Sequence, residues 1–191
     1  MIIETADSQA VADLTRTWVE KAVIGLNLCP FAKAVQVKGQ VRYAVSDASD
    51  EESLLADLHA ELIALAGADP AQTDTTLLIH PGVLQDFYDY NGFLDVADAC
   101  LEELELDGTI QIASFHPHYQ FADSGPDDIE NYTNRAPFPI LHLLREDSIE
   151  RAVAAFPDAS DIYERNMETL RRLGLPGWQK LGLPQAHDEQ K

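Results

Sequence analysis

The chain has 191 residues, 46% of them hydrophobic, with 33 acids against 13 bases and a formal net charge of -20. That length suits one domain with a sizeable core, and no apolar run approaches the ~20 residues that span a bilayer. The negative field repels phosphate backbones and anionic lipid, so nucleic-acid and membrane-surface partners are not expected. The acidic N-terminus lacks the basic and apolar regions of a secretory signal, and the reading is a cytoplasmic protein.

Residues 8–178 are expected to form a single α/β domain, followed by a mobile polar tail over 179–191. Ser8 can cap a first helix from about Gln9 to Leu26, with Val11, Leu14, Trp18, Ala22 and Leu26 on one face. Pro30 forbids its continuation. Val41 to Ser46 alternates as a short strand. Ser49 precedes a helix from Asp50 to Ala66 that carries Leu54, Leu55, Leu58, Leu62 and Leu65 inward. Thr75 to Ile79 reads as a buried strand ending at His80-Pro81, and a long helix from Val83 to Leu104 follows it. Asp107-Gly108 turns the chain into a strand from Thr109 to Phe115, ending at His116-Pro117. Ile140 to Leu144 is a fourth strand, and helices over Asp147–Ala155 and Ser160–Leu173 close the chain. Strands alternating with helices at this spacing predict a four-stranded parallel or mixed sheet covered by helices. A ferredoxin-like α+β arrangement is the alternative.

The stretch from Ser114 to Glu146 holds three histidines, four prolines and two arginines, and shows no period until Pro139. Compact domains keep so long an irregular segment mainly as a binding loop, a lid or disorder. Phe115, Tyr119, Phe121, Tyr132 and Phe138 argue against disorder, because they can anchor the loop on a core.

Two strands end in His-Pro. In a parallel sheet the carboxyl ends share one edge, where ligands bind, so His80 and His116 are expected to face one crevice. His116-Pro117-His118 places two imidazoles on one side of extended chain. His80, His116 and His118 can then hold a divalent metal such as zinc or iron, with oxygen from Asp123, Asp127, Asp128 or Glu130, or act in proton transfer. The competing reading is strand-end histidines satisfied by backbone and water. His142, between Leu141 and Leu143, reads as a core histidine.

Cys29, in Leu28-Cys29-Pro30-Phe31, is a second candidate. With His116 as base it can form a nucleophilic pair; alternatively it belongs to an apolar plug where a helix stops. Cys100 falls on a helical core stripe, and nothing points to a disulfide framework. A third cluster, Asn131-Tyr132-Thr133-Asn134-Arg135, gathers donors suited to a carboxylate or phosphate, with Arg145 assisting. Its competitor is a structural clamp in which the asparagines bond the loop's own backbone and Arg135 pairs with Asp127 or Asp128. Asp86 or Asp89, opening the helix after His80-Pro81, can serve as a general base beside N–H groups that favour an anion.

At these motifs the chain resembles an uncharacterised bacterial family, domain of unknown function number 1415. The resemblance is carried by the strings Trp18 to Ala32, Thr76 to Pro81, Ser114 to Pro117, and Asn131 to Glu146. It spans about Thr17 to Leu173, implies a single soluble bacterial domain, and assigns no activity, cofactor or site residue.

The expectation is therefore a small-molecule enzyme of hydrolase type at the strand ends, acting on a small anionic molecule. The alternatives are a cysteine enzyme built on Cys29 and a non-catalytic anion-binding or interaction domain. Substrate, metal and oligomeric state are open.

Overall fold

The computed structural model describes residues 6–155 and 161–183. Four strands, β1 (Val41–Val45), β2 (Thr75–Ile79), β3 (Ile110–Phe115) and β4 (Ile140–Arg145), form one sheet in the order β1-β2-β4-β3. β1 and β2 are parallel. β4 lies antiparallel between β2 and β3, so β2 and β3 point the same way without touching. The mixed sheet is the expected α/β arrangement.

Helices cover both faces, unlike the ferredoxin-like alternative, which segregates helices to one side of an antiparallel sheet. α3 (Glu51–Gly67) and α4 (Phe87–Glu103) pack on one face, where Leu54, Leu58, Leu62 and Leu65 meet Leu78, Leu141, Leu143 and Ile110. Each such leucine, nearly or wholly removed from water, contributes roughly 1.5–3 kcal/mol of transfer free energy. The opposite face joins Leu77, Ile79 and Ile140 to Trp18, Val19 and Ala22, and to Leu170 and Trp178. Successive strand residues thus serve opposite cores, which explains why all five residues of β2 are buried.

Several boundaries differ from the sequence reading, for local reasons. The first helix is α1 (Ala6–Trp18), with Ser8 inside it, continued by a π-helical segment, Val19–Ile24. There Gly25 and Leu28 donate to the carbonyls of Glu20 and Val23, five residues back, at 3.0 and 2.9 Å. A Cβ on Gly25 would lie 2.3 Å from the Lys21 carbonyl oxygen, so only glycine fits. A six-residue helix, α2 (Ala32–Val37), then follows, too short to show a period. Asp50, not Ser49, caps α3 by accepting from the Ser53 N–H at 2.8 Å. α4 starts four residues later than expected, because Asp86 caps it.

α5 spans Glu146–Ala155. α6 spans Ile162–Gln179 and runs past the expected stop at Leu173. Gly174, at φ 65°, breaks it, and Pro176 then opens a new turn, where its missing N–H costs nothing. The Pro157 break and the tail beyond 183 lie outside the described residues. Among the described residues, no helix is long and apolar enough to cross a membrane.

Candidate functional site

Because β4 enters the sheet antiparallel, Ile140 at its start pairs with both Ile79 and Phe115, the last residues of β2 and β3. His80 and His116 therefore emerge on one edge, on either side of β4. The His80 N–H bonds the Pro139 carbonyl at 3.1 Å, and the His116 N–H bonds the Asn134 carbonyl at 3.2 Å. Tyr90 of α4 joins the two imidazoles. Its ring centroid lies 5.8 Å from His80, nearly parallel, and 5.0 Å from His116. Its hydroxyl donates to the Ile140 carbonyl at 2.7 Å and accepts from the Phe115 N–H at 3.2 Å. Tyr90 is fully buried, as are both histidines. Phe87 packs against His116, and Tyr119 packs against Phe87.

The turn from His80 to Asp86 sets the protonation of both rings. His80 Nδ1 lies 3.1 Å from the Val83 carbonyl oxygen, which only accepts, so Nδ1 carries the proton. Nε2 then presents its lone pair, buried and without a hydrogen-bond partner among the described residues. His116 adopts the other tautomer. Its Nε2–H donates to the Leu84 carbonyl at 3.1 Å, and its Nδ1 accepts the His118 N–H at 3.0 Å. Burial holds both rings neutral, pushing each down to about 4, with the Val83 and Leu84 carbonyls opposing.

Leu84 presents its carbonyl from a left-handed conformation, φ 57°. A branched residue there costs about 1–3 kcal/mol and persists only when its surroundings enforce it. Burial of Leu84 itself and the close approach of Gly82, whose added Cβ would lie 2.8 Å from the Ala48 carbonyl oxygen, supply that enforcement.

The three histidines do not form a ligand set. The one lone pair of His116 is held by the His118 backbone, and His118 itself is exposed, its ring 5.9 Å from that of His116. Among the described residues, no group of three His, Cys, Asp or Glu is placed to hold a metal ion. Of the supporting oxygens, Asp123 and Asp127 are exposed, Asp128 accepts from the Gly125 N–H at 2.7 Å, and Glu130 pairs with Arg171. Asp86 spends its carboxylate on the Tyr88 and Asp89 N–H groups at 2.8 and 3.2 Å. The start of α4 is thus occupied by the chain's own anion rather than left for a ligand, and Asp89 is exposed in its first turn.

The amide and arginine cluster is a clamp on its own loop. Asn131, fully buried, accepts from the Phe121 N–H and the Ser124 hydroxyl and donates to the Gly125 carbonyl. Asn134 donates to the Ser114 carbonyl at 3.0 Å. Arg135 donates to the Tyr119 and Pro126 carbonyls and lies over the Tyr132 ring, in place of the expected pairing with Asp127 or Asp128. Tyr132 meets Trp178 and Phe121 meets Tyr163, which fastens the loop to α6. The aromatic anchors expected from sequence are thus in place. Arg145 sits at the opposite edge of the sheet, since β4 runs away from the histidines. There it donates to the Leu65, Ala68 and Thr73 carbonyls and closes the end of α3. His142 bonds Thr75 Oγ1 at 2.8 Å and is held neutral by burial, down to about 4.

Cys29 lies between the π-helical segment and α2, so it faces a helix start as well as a helix end. The Phe31 and Ala32 N–H groups favour its thiolate, but burial outweighs them and pushes the thiol up from its ordinary value. His116 cannot serve it as base in this conformation, because both its ring nitrogens are already bonded to backbone.

A family model described as "Protein of unknown function (DUF1415)" matches residues 10–180. No curated protein matches the chain, and no solved structure does.

Proposed function

We propose, for a chain that belongs to the DUF1415 family of proteins of unknown function, a small-molecule enzyme in which His80 is the proton-accepting group. The observation that carries this reading is the buried, unpartnered Nε2 of His80. Leaving such an acceptor unsatisfied costs roughly 1–3 kcal/mol, which a purely structural histidine avoids by finding a donor. The Val83 carbonyl fixes the tautomer and aims the free lone pair, as the orienting partner of a general base does. A ring held down to about 4 is neutral at pH 7, so the lone pair is free to accept. A substrate carrying a negative charge beside it would raise its basicity toward neutrality, which favours a small carboxylate over a neutral ligand. His80 is closed off from water in this conformation, so a ligand reaches it only when part of its cover moves. The hydrolytic step is the simplest chemistry for one oriented base and a water, and it needs no metal held by His116 or His118.

The test uses protein labelled with nitrogen-15 in histidine and a panel of small carboxylates and their esters. Binding of a true ligand shifts the His80 Nε2 resonance, and the His80→Phe protein, which keeps a ring against Tyr90, loses that ligand. Ligands that bind both proteins equally, or a panel that never moves the His80 resonance, would remove the proposal.

A further inference from the structure

α3 and α4 leave a cleft between them on the face turned away from the sheet, with a cavity of about 470 Å³. Its walls are two matching stripes. Glu52, Leu55, Ala56 and His59 recur at helical spacing on α3, and Val96, Ala99 and Glu103 do so on α4. These stripes stand beside the core stripes of the same helices, so each helix is apolar over more of its girth than the sheet uses. Val96 is 40% exposed, and Ile63, one turn beyond His59 on the same side of α3, is 51% exposed.

The charge around this cleft has one sign. Every lysine and arginine of the chain lies outside α3 and α4, and every charged residue within them is acidic. Two of those acids, Glu61 and Asp57, are turned to partners on β1 and just after it, Arg42 and Ser46. Glu52 and Glu103 instead line the cleft. A floor of apolar side chains between two helices, rimmed by carboxylates, accepts the ridge of a third helix whose flanks are basic. Solubility alone would explain the acids but not the apolar floor between them.

We propose that this cleft docks an amphipathic helix of a partner protein, with leucine-like residues in the groove and lysine or arginine on its flanks. The attraction is electrostatic at the rim, so it speeds encounter and weakens with salt.

The probe is a designed helix of ~18 residues made of leucine and lysine in helical register, long enough to hold helix in the groove. A peptide of the same composition with its period scrambled controls for attraction to the net charge, and a leucine–glutamate helix controls for sign. Amide shifts of nitrogen-15-labelled protein locate binding, and fluorescence anisotropy measures it. The expected result is shifts confined to residues 52–63 and 96–103, and weakening by about tenfold or more in Ala56→Trp, which fills the groove, and in Glu52→Lys with Glu103→Lys. Both variants change exposed or rim side chains, and thermal melting confirms their fold. Equal binding of the scrambled peptide, shifts elsewhere, or undiminished binding by both variants would overturn the proposal. So would the same amides shifting with protein concentration alone, which would assign the cleft to a second copy of the chain.

Discussion

Acidification from pH 7 to pH 5 should destabilise this protein, chiefly through two fully buried imidazoles. His80 and His116 are fully buried and held near 4, against an ordinary value of 6.5. Between those values the unfolded chain binds more protons than the native one, so stability is complete above the window and falls as pH drops through it. Each ring then contributes a loss of about 2 kcal/mol between pH 7 and 5, or about 4 kcal/mol together. His142, partly buried and shifted the same way, adds to the loss. In urea, with a slope of about 2–3 kcal/mol per molar, the midpoint should fall by roughly 1–2 M. Histidine nitrogen-15 spectra should meanwhile show both native rings neutral at pH 5. A midpoint that stays put, or a native His80 or His116 that titrates near 6.5, would refute the reasoning.

Arg145→Met should remove three carbonyl contacts at the end of α3 and cost about 2–4 kcal/mol in thermal or urea unfolding. Gly25→Ala should force a Cβ against the Lys21 carbonyl and cost about 2 kcal/mol or more, with loss of the π-helical hydrogen bonds visible as faster amide exchange at residues 25–28. Asn131→Ala should leave the Phe121 N–H and the Ser124 hydroxyl without their acceptor and cost about 1–3 kcal/mol. Proteolysis should then cut the 117–128 segment sooner than in the native protein. The Cys29 thiol should react slowly with a disulfide reagent at pH 7 and accelerate only above its ordinary value of 9.0, because burial keeps it protonated.

His80 and His116 could be placed on one edge from sequence because each follows an apolar strand and precedes a proline that stops the chain from coiling. Their burial was not legible in the same way. It depends on a left-handed Leu84, which no propensity favours, turning a carbonyl toward a residue 32 positions away. The direction of β4 was open from sequence, since a short apolar run pairs equally well either way. That single choice carries Arg145 to the far edge and slips Ile140 between the two histidine strands. The loop's aromatics announced that it was anchored. The partners of its asparagines and Arg135 are mostly backbone groups, and backbone carries no sequence signature. The π-helical segment has a visible cause only in hindsight, in a glycine that tolerates the crowded Lys21 carbonyl.

The placement of β4 also bears on how the chain assembles during synthesis. β1, α3 and β2 form a contiguous unit that can fold as it emerges, but β2 and β3 cannot share a sheet until residues 140–145 arrive to bridge them. Until then two apolar strand edges stand open, and Tyr90 lacks the Ile140 carbonyl its hydroxyl bonds. The bridging strand is thus a non-local pairing that is synthesised last, and the nascent chain before it is open to misassembly. A chain stalled just short of residue 140 should leave His80 and His116 open to water.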